Sequence, residues 1–335
     1  MREPGGAFPT GRFVPEMMGE GSVRGKKNRI QGMETRMGMT DETGRRRALG
    51  KLICAMVIWG SIGVFRRYIS MPSALLACAR GILGGLFLLL FSGRERKNAG
   101  GRLPAGLRMR LIGTGILIGA NWILLFEAYN HTTVAVATLC YYMQPTLVTL
   151  LSPAVFGEKL TGRKLACAAA ALFGMVLVSG VTAESGQREG NLQGVLLGLG
   201  AAALYAGVVI LNKRTTGVGA YQRTTAELLS AGICMIPYLL LTGGPGGVAI
   251  SPADMALTAV MGIVHTGIAY ALYFGSMEKL KAQTIAVFSY VDPVSALLFS
   301  ALLLGEPLSP SGACGAVLII ASALISELRT EQGAG

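Results

Sequence analysis

Charged side chains are scarce in this 335-residue sequence. Asp, Glu, Lys and Arg make up 14% of it, against roughly a quarter in soluble domains. So little charge excludes an ordinary water-soluble enzyme or binding module. Histidine is scarcer still, at two residues, His131 and His265, and no zinc-type spacing is present, so no metal site is expected. There is no Walker A loop and no dinucleotide glycine fingerprint, which removes the binding loops that nucleotide chemistry needs. No cofactor is expected. The six cysteines, Cys54, Cys78, Cys140, Cys167, Cys234 and Cys314, form no C-x-x-C pair. Each lies inside an apolar block and reads as a small buried hydrophobe rather than a disulfide partner or ligand.

Apolar sequence is what the chain has in excess. Hydrophobic residues make up 52% of it, and the mean hydropathy is +0.53. They come in blocks of about 20, the length that crosses a bilayer core as a helix. The expectation is an all-α membrane protein. The net charge of +12 would point to nucleic acid on a soluble protein. Here Lys and Arg sit in the connections and the N-terminal tail, so the expected partner is the lipid bilayer and not nucleic acid.

Residues 1–48 are basic, Gly-rich and poor in apolar clusters, and are expected to be disordered. Met33, Met37 and Met39 lie just ahead of the first apolar block. Translation is expected to start at one of them, and an intact mass beginning at Met1 would refute this. Ten apolar segments follow, at about 50–65, 72–92, 107–128, 133–156, 163–182, 192–212, 220–242, 255–277, 282–304 and 311–327. With the N-terminus inside, the inner connections and C-terminal tail carry Arg94, Arg96, Lys97, Arg102, Arg108, Arg110, Lys159, Arg163, Lys164, Lys213, Arg214, Arg223, Lys279, Lys281 and Arg329. The outer connections carry only Arg66, Arg67 and Arg188. Positive residues collect on the cytoplasmic side. Ten spans, both termini cytoplasmic and a location in the cytoplasmic membrane are therefore expected.

The stretch YYMQPTLVTLLSPAVFGE (141–158) resembles SYVDPVSALLFSALLLGE (289–306). Pro145 and Pro293 differ by 148 positions, as do Glu158 and Glu306, Tyr142 and Tyr290, Phe126 and Phe274, and Gly119 and Gly267. Each half then holds five segments, over 49–182 and 192–328, with a tail at 329–335. Five is odd, so the second half enters the membrane inverted, as in many secondary transporters.

Polar residues inside hydrocarbon should face the bundle interior or a water-filled cavity. Tyr141, Gln144, Val148 and Ser152 fall on one helix face, with Thr149 at its edge. The same offsets give Ser289, Asp292, Ala296 and Ser300. Pro145 and Pro293 deprive the carbonyls of Tyr141 and Ser289 of their i+4 donors, so kinks are expected there. Two facing stripes lining a cavity are one reading; close packing with Gln and Asp as interhelical glue is the other. Asp292 could bind a cation, pair with Arg80, carry a coupling proton or make a structural hydrogen bond. Arg80 lies deep in the second segment. It could pair with Glu227 or Asp292, or bind an anionic group of a solute. Asn121, Trp122 and Tyr270 are placed for cavity lining, and His265 either titrates there or packs as a satisfied core residue. Gly81-x-x-x-Gly85, Gly115-x-x-x-Gly119 and Gly194-x-x-x-Gly198 permit close helix approach. Glu158 and Glu306 are expected to sit at helix N-termini in a structural role.

Trp59-Gly60, Arg80, Pro145 through Gly157-Glu158-Lys159-Leu160, and Asp292-Pro293 through Gly305-Glu306-Pro307-Leu308 carry a resemblance. On these residues the sequence resembles the EamA-type branch of the drug/metabolite transporter superfamily, from about residue 50 to 327. The resemblance implies ten helices in two inverted five-helix repeats, alternating access, and solutes such as amino acids, other metabolites or drugs. It also implies export in many relatives, with proton coupling in some. An acidic residue before the proline of the ninth segment is common in that family, and Asp292 fits. The expected protein is a secondary active transporter and not an enzyme, with a homodimer as one compatible assembly. The alternatives are an integral-membrane lipid carrier or enzyme, and a structural membrane protein that transports nothing.

Overall fold

The computed structural model describes residues 43–91, 104–157, 160–179, 188–241, 250–277, 279–306 and 308–328. The N-terminal tail with Met33, Met37 and Met39 lies outside the described residues, as do Arg94, Arg96, Lys97, Arg102, Glu158, Lys159, Pro307 and Arg329. The chain divides into Met1–Arg47 and Ala48–Gly335. Of the first unit only residues 43–47 are described, as helix; the second holds everything that follows.

Among the described residues, seven helices are long and apolar enough to cross a membrane. They are α1 (Thr43–Arg67), α2 (Ser73–Phe91), α3 (Ala105–His131), α4 (Val134–Phe156), α6 (Asn191–Lys213), α7 (Ala220–Leu241) and α8 (Pro252–Met277). Between α4 and α6 runs α5 (Gly162–Ser179). The stretch after α8 forms α9 in two pieces, Ala282–Ser289 and Val291–Leu303, and then α10 (Pro310–Leu328). The apolar parts of these two, Val287–Leu303 and Pro310–Ile325, are shorter. No strand occurs among the described residues. The protein is an all-helical, multi-pass membrane protein.

Several helices are interrupted near their middles. α1 is broken by a turn at Ser61. α4 is split into Val134–Tyr141 and Gln144–Phe156, and α9 is split at Tyr290. The breaks in α4 and α9 fall shortly before a proline, so Pro145 and Pro293 lie in the first turn of the second piece of their helix. Proline suits that place because its missing N–H has no intrahelical partner in the first turn. α8 carries a π-helical segment at Ile263–Ile268, a departure the sequence did not suggest.

The Gly-Glu pairs that end the two similar stretches have a conformational reason. Gly157 and Gly305 take φ of 68° and 64°, a left-handed geometry that costs other residues energy. Each stops its helix there. The N-terminus of α8 is closed by a capping box between Ser251 and Asp254, and that of α4 by the Thr133 side chain, which accepts from the Val136 N–H.

Helix contacts depend on small residues. α2 crosses α7 so closely that a Cβ on Gly81 would lie 2.8 Å from the Gly232 nitrogen. α5 and α10 meet at Gly174 and Gly315, where a Cβ on Gly174 would lie 2.7 Å from the Gly315 carbonyl oxygen. α3 packs against both α6 and α7. The glycines of the first two small-residue motifs abut α7, and in the third Gly198 meets α4 while Gly194 meets Thr132 in the α3–α4 connection.

One end of the bundle is tied by polar contacts. Arg67, at the end of α1, donates to Glu306 Oε1 at 2.6 Å and to the Thr132 carbonyl at 2.9 Å. Glu306 Oε2 accepts from the Val134 N–H at 3.0 Å and from Ser300 Oγ at 2.9 Å. The carboxylate therefore sits on the N-terminus of α4 and not on that of α10, the helix that follows it in sequence. At the same end, Arg66 donates to the Ile69 carbonyl and Ser73 Oγ, and Ser73 Oγ donates to Glu127.

Candidate functional site

A cavity of about 720 Å³ lies among α1, α2, α3, α4, α6, α8 and α9, with α5 at its mouth. Its size is that of a small-molecule pocket. It reaches Phe156, Lys164, Lys213 and Met277, at the ends of helices opposite the Arg67–Glu306 tie.

The interrupted helices deliver their polar residues to this space. The Tyr141, Gln144, Val148 and Ser152 face of α4 all lines it, with Thr149 and Pro145. From α9 come Ser289, Asp292 and Ala296. Ser300 does not, because its hydroxyl is engaged by Glu306. Arg80, Trp122 and Tyr270 complete the predicted set that the fold brings together.

Arg80 is 4% exposed. Its Nε donates to Thr266 Oγ1 at 2.8 Å. The guanidinium carbon lies 4.4 Å from the Trp122 ring centroid and 5.7 Å from that of Phe126, so aromatic rings hold it as cation–π partners. Among the described residues the recorded ion pairs are Arg67–Glu306 and His131–Glu127. Arg80 is thus held by a hydroxyl and two rings, without the Glu227 or Asp292 pairing that the sequence left open.

Asp292 accepts a hydrogen bond from the Tyr142 hydroxyl across the α4–α9 boundary. The two breaks meet here, since Tyr142 sits in one and Asp292 follows the other. Gly60 allows the approach of α1 to α9: a Cβ there would lie 2.7 Å from the Asp292 carbonyl oxygen. Ser289 Oγ returns its proton to the Ile285 carbonyl at 2.8 Å, so its hydroxyl serves the helix while lining the cavity.

Asn121, Glu227 and His265, expected at the cavity, do not line it. Asn121 is fully buried and its amide donates to the Ala201 carbonyl at 2.6 Å, joining α3 to α6. Glu227 is 3% exposed, and its Oε1 has no hydrogen-bond partner among the described residues. His265 lies in the π segment and meets the break in α1: its Nε2 is 2.9 Å from Ser61 Oγ, and its ring packs edge-on against Phe65. The Trp59 indole donates to the His265 carbonyl at 2.9 Å.

Aromatic lining went largely unpredicted. Tyr129, Tyr142, Tyr205, Tyr273 and Tyr290 join Tyr141 and Tyr270, and Trp59 joins Trp122. Trp59 packs on Tyr270 and Tyr273 with centroids 5.1 and 5.4 Å apart. Tyr141 packs on Tyr205 at 5.6 Å. The available signal was depth. Tyrosine and tryptophan belong at membrane interfaces, and Trp59 and Tyr205 are near the middle of their apolar segments.

Comparison with known proteins follows the same outline. The model of the EamA-like transporter family matches residues 47–180 and again 192–328. A Bacillus subtilis protein named as uncharacterized transporter YxxF is 27% identical, covering 85% of this chain and 90% of its own length. An Escherichia coli protein named as a probable amino-acid metabolite efflux pump is 28% identical, covering 82% and 92%. A solved crystal structure superposes with a TM-score of 0.59 at 19% identity, over 85% of this chain and 98% of that one; it speaks to fold alone.

Proposed function

Since this chain belongs to the EamA-like transporter family, we propose that it is a secondary active transporter of the cytoplasmic membrane that exports a small organic solute by alternating access. The observation that carries the proposal is the cavity, polar and aromatic at mid-bundle, tied shut at one end and reaching the other. Family membership already sets the enzyme reading aside, and homologues named as transporters and efflux pumps favour transport over a structural role.

The proposed architecture is ten spans in two inverted five-helix repeats with both termini cytoplasmic. Packing supports this by its exchange symmetry. α2 packs on α7 and α5 on α10, each the other's counterpart. α3 packs on α6, and their counterparts α8 and α1 meet through His265, Trp59 and Tyr270. Rocking one repeat against the other closes the Lys164–Lys213 end and parts Arg67 from Glu306. With the N-terminus inside, the tied end is the outer one. The pose is then open to the cytoplasm, ready to load for export.

Asp292 is the proposed coupling group. It is the sole acidic residue lining the cavity among the described residues, and its Tyr142 partner crosses between the repeats. Proton release on one side and capture on the other would make its hydrogen bond depend on state. The E. coli relative's printed name makes amino-acid metabolites the first solutes to try. Metabolites released by overexpressing cells, compared with deleted cells, identify candidates, and uptake by proteoliposomes tests them. Absence of protein-dependent flux for every candidate sinks the proposal.

A further inference from the structure

The cavity has a cation, Arg80, that no acidic group among the described residues pairs with. Apart from the Nε bond to Thr266, Arg80 has no hydrogen-bond partner among the described residues. Its two terminal nitrogens are absent from the fully buried unpartnered atoms, so they reach the cavity that the residue lines. Trp122 and Phe126 occupy the ring-facing sides of the guanidinium, and Thr266 fixes its near edge. What remains is the outer fork of two N–H-bearing nitrogens, held in place and unpaired in a space 4% exposed. A planar fork of that kind matches a carboxylate through two parallel hydrogen bonds. A buried charge left without a partner is costly, so the site gains when a solute supplies one.

The rest of the lining agrees in sign and shape. Lys164 and Lys213 stand at the mouth with Phe156, and among the described residues Asp292 is the one acidic side chain that lines the cavity. A cleft lined mainly by one sign of charge raises the local concentration of the opposite ion. Beyond the fork, Trp122, Tyr129, Tyr141, Tyr205 and Tyr270 form apolar, flat-sided walls.

We infer that Arg80 is the solute's anion anchor, and that the transported class is organic carboxylates with an aromatic or similarly flat apolar body. The carboxylate seats on the Arg80 fork beside Trp122, and the body lies along the tyrosines toward α4 and α6. This deepens the transport reading and rests on it for the route by which a solute reaches Arg80.

The test is binding to purified full-length protein in detergent, read by intrinsic fluorescence. The chain has two tryptophans, Trp59 and Trp122, and both line the cavity. The probes are 3-phenylpropionate, its neutral amide, and 3-phenylpropylamine. The carboxylate is expected to bind about thirtyfold more tightly than either of the others, the scale of a lost buried charge partner. Arg80→Gln should erase that preference, and Arg80→Lys, which keeps charge but not the fork, should retain part of it. Equal binding of the amide or the amine overturns the inference, as does binding of none of the three or a full preference surviving in Arg80→Gln. If the variants do not fold, the three probes on unaltered protein still decide. Carboxylate binding without flux in proteoliposomes defeats the transport reading and leaves the anchor standing. Flux of amines and neutral solutes with no carboxylate preference does the reverse.

Discussion

Replacing Glu306 by Gln should bias the protein toward the state in which its tied end opens. The carboxylate accepts from Arg67 at 2.6 Å, from the Val134 N–H at 3.0 Å and from Ser300 at 2.9 Å. It joins the end of α1, the start of α4 and the end of α9. Exposed ion pairs contribute about 0.2–1 kcal/mol, and hydrogen bonds to charged groups about 1.5–3 kcal/mol. The Arg67 and Glu306 side chains are 31% and 18% exposed, so solvent screens part of that gain. Gln keeps an acceptor oxygen but loses the charge and one acceptor. A net loss of about 1–2 kcal/mol follows, which corresponds to about a 5- to 30-fold shift between two states. The assay is labelling of Thr138→Cys, a cavity-lining position, in a background with the native cysteines replaced. A membrane-impermeant thiol reagent is applied from outside intact cells. The labelling rate should rise by about that factor with Glu306→Gln and with Arg67→Gln. An unchanged rate in both variants would refute the view that this tie holds the outer end shut.

The other predictions concern packing and backbone. Gly232→Leu puts a Cβ 2.8 Å from the Ile82 nitrogen and 2.9 Å from the Cys78 carbonyl oxygen, atoms that cannot step aside. Thermal unfolding in detergent should report a loss of about 1–3 kcal/mol or more, and an unshifted midpoint would contradict the close α2–α7 crossing. Gly305→Ala meets open space, since no atom lies within 4 Å of its Cβ. Its cost is therefore backbone alone, about 1–2 kcal/mol for φ of 64° in a residue with a side chain, and Gly305→Asn should lose less. Trp59→Phe keeps an edge-to-face ring contact with Tyr270 but loses the bond to the His265 carbonyl. About 1 kcal/mol of stability should go with it, and equal stability would show that bond to be idle.

The helical class and the apolar blocks were legible because hydrocarbon leaves few ways to satisfy a backbone. The polar face of α4 was legible too, since Gln144, Val148 and Ser152 share one side of its second piece, where side-chain direction follows from spacing, and Tyr141 lines the same cavity across the break. Breaks near Pro145 and Pro293 follow from a missing N–H, though the interruption falls at Tyr142 and Tyr290, just ahead of each ring. The directions of Asn121, Glu227 and His265 were not legible. Depth in the membrane says that a polar group needs a partner, not which neighbouring helix supplies it. Asn121 found a carbonyl on α6, whereas Glu227 is buried with its Oε1 unpartnered among the described residues. His265 belongs to a π-helical segment, where a wider turn shifts the phase on which facing arguments rest. The role of Glu306 was hidden for a similar reason. Its partners, Arg67 and Val134, are 239 and 172 positions away, and the local pattern offered only the helix that follows.

The central claim is that the cavity moves solute and that Asp292 couples the movement to protons. Net flux into proteoliposomes under an imposed pH gradient tests it most directly, with unaltered protein beside Asp292→Asn. The account predicts gradient-driven accumulation by the unaltered protein. It predicts no net accumulation by Asp292→Asn, although that variant is folded and inserted to the same extent. Accumulation by Asp292→Asn at the unaltered rate would contradict it.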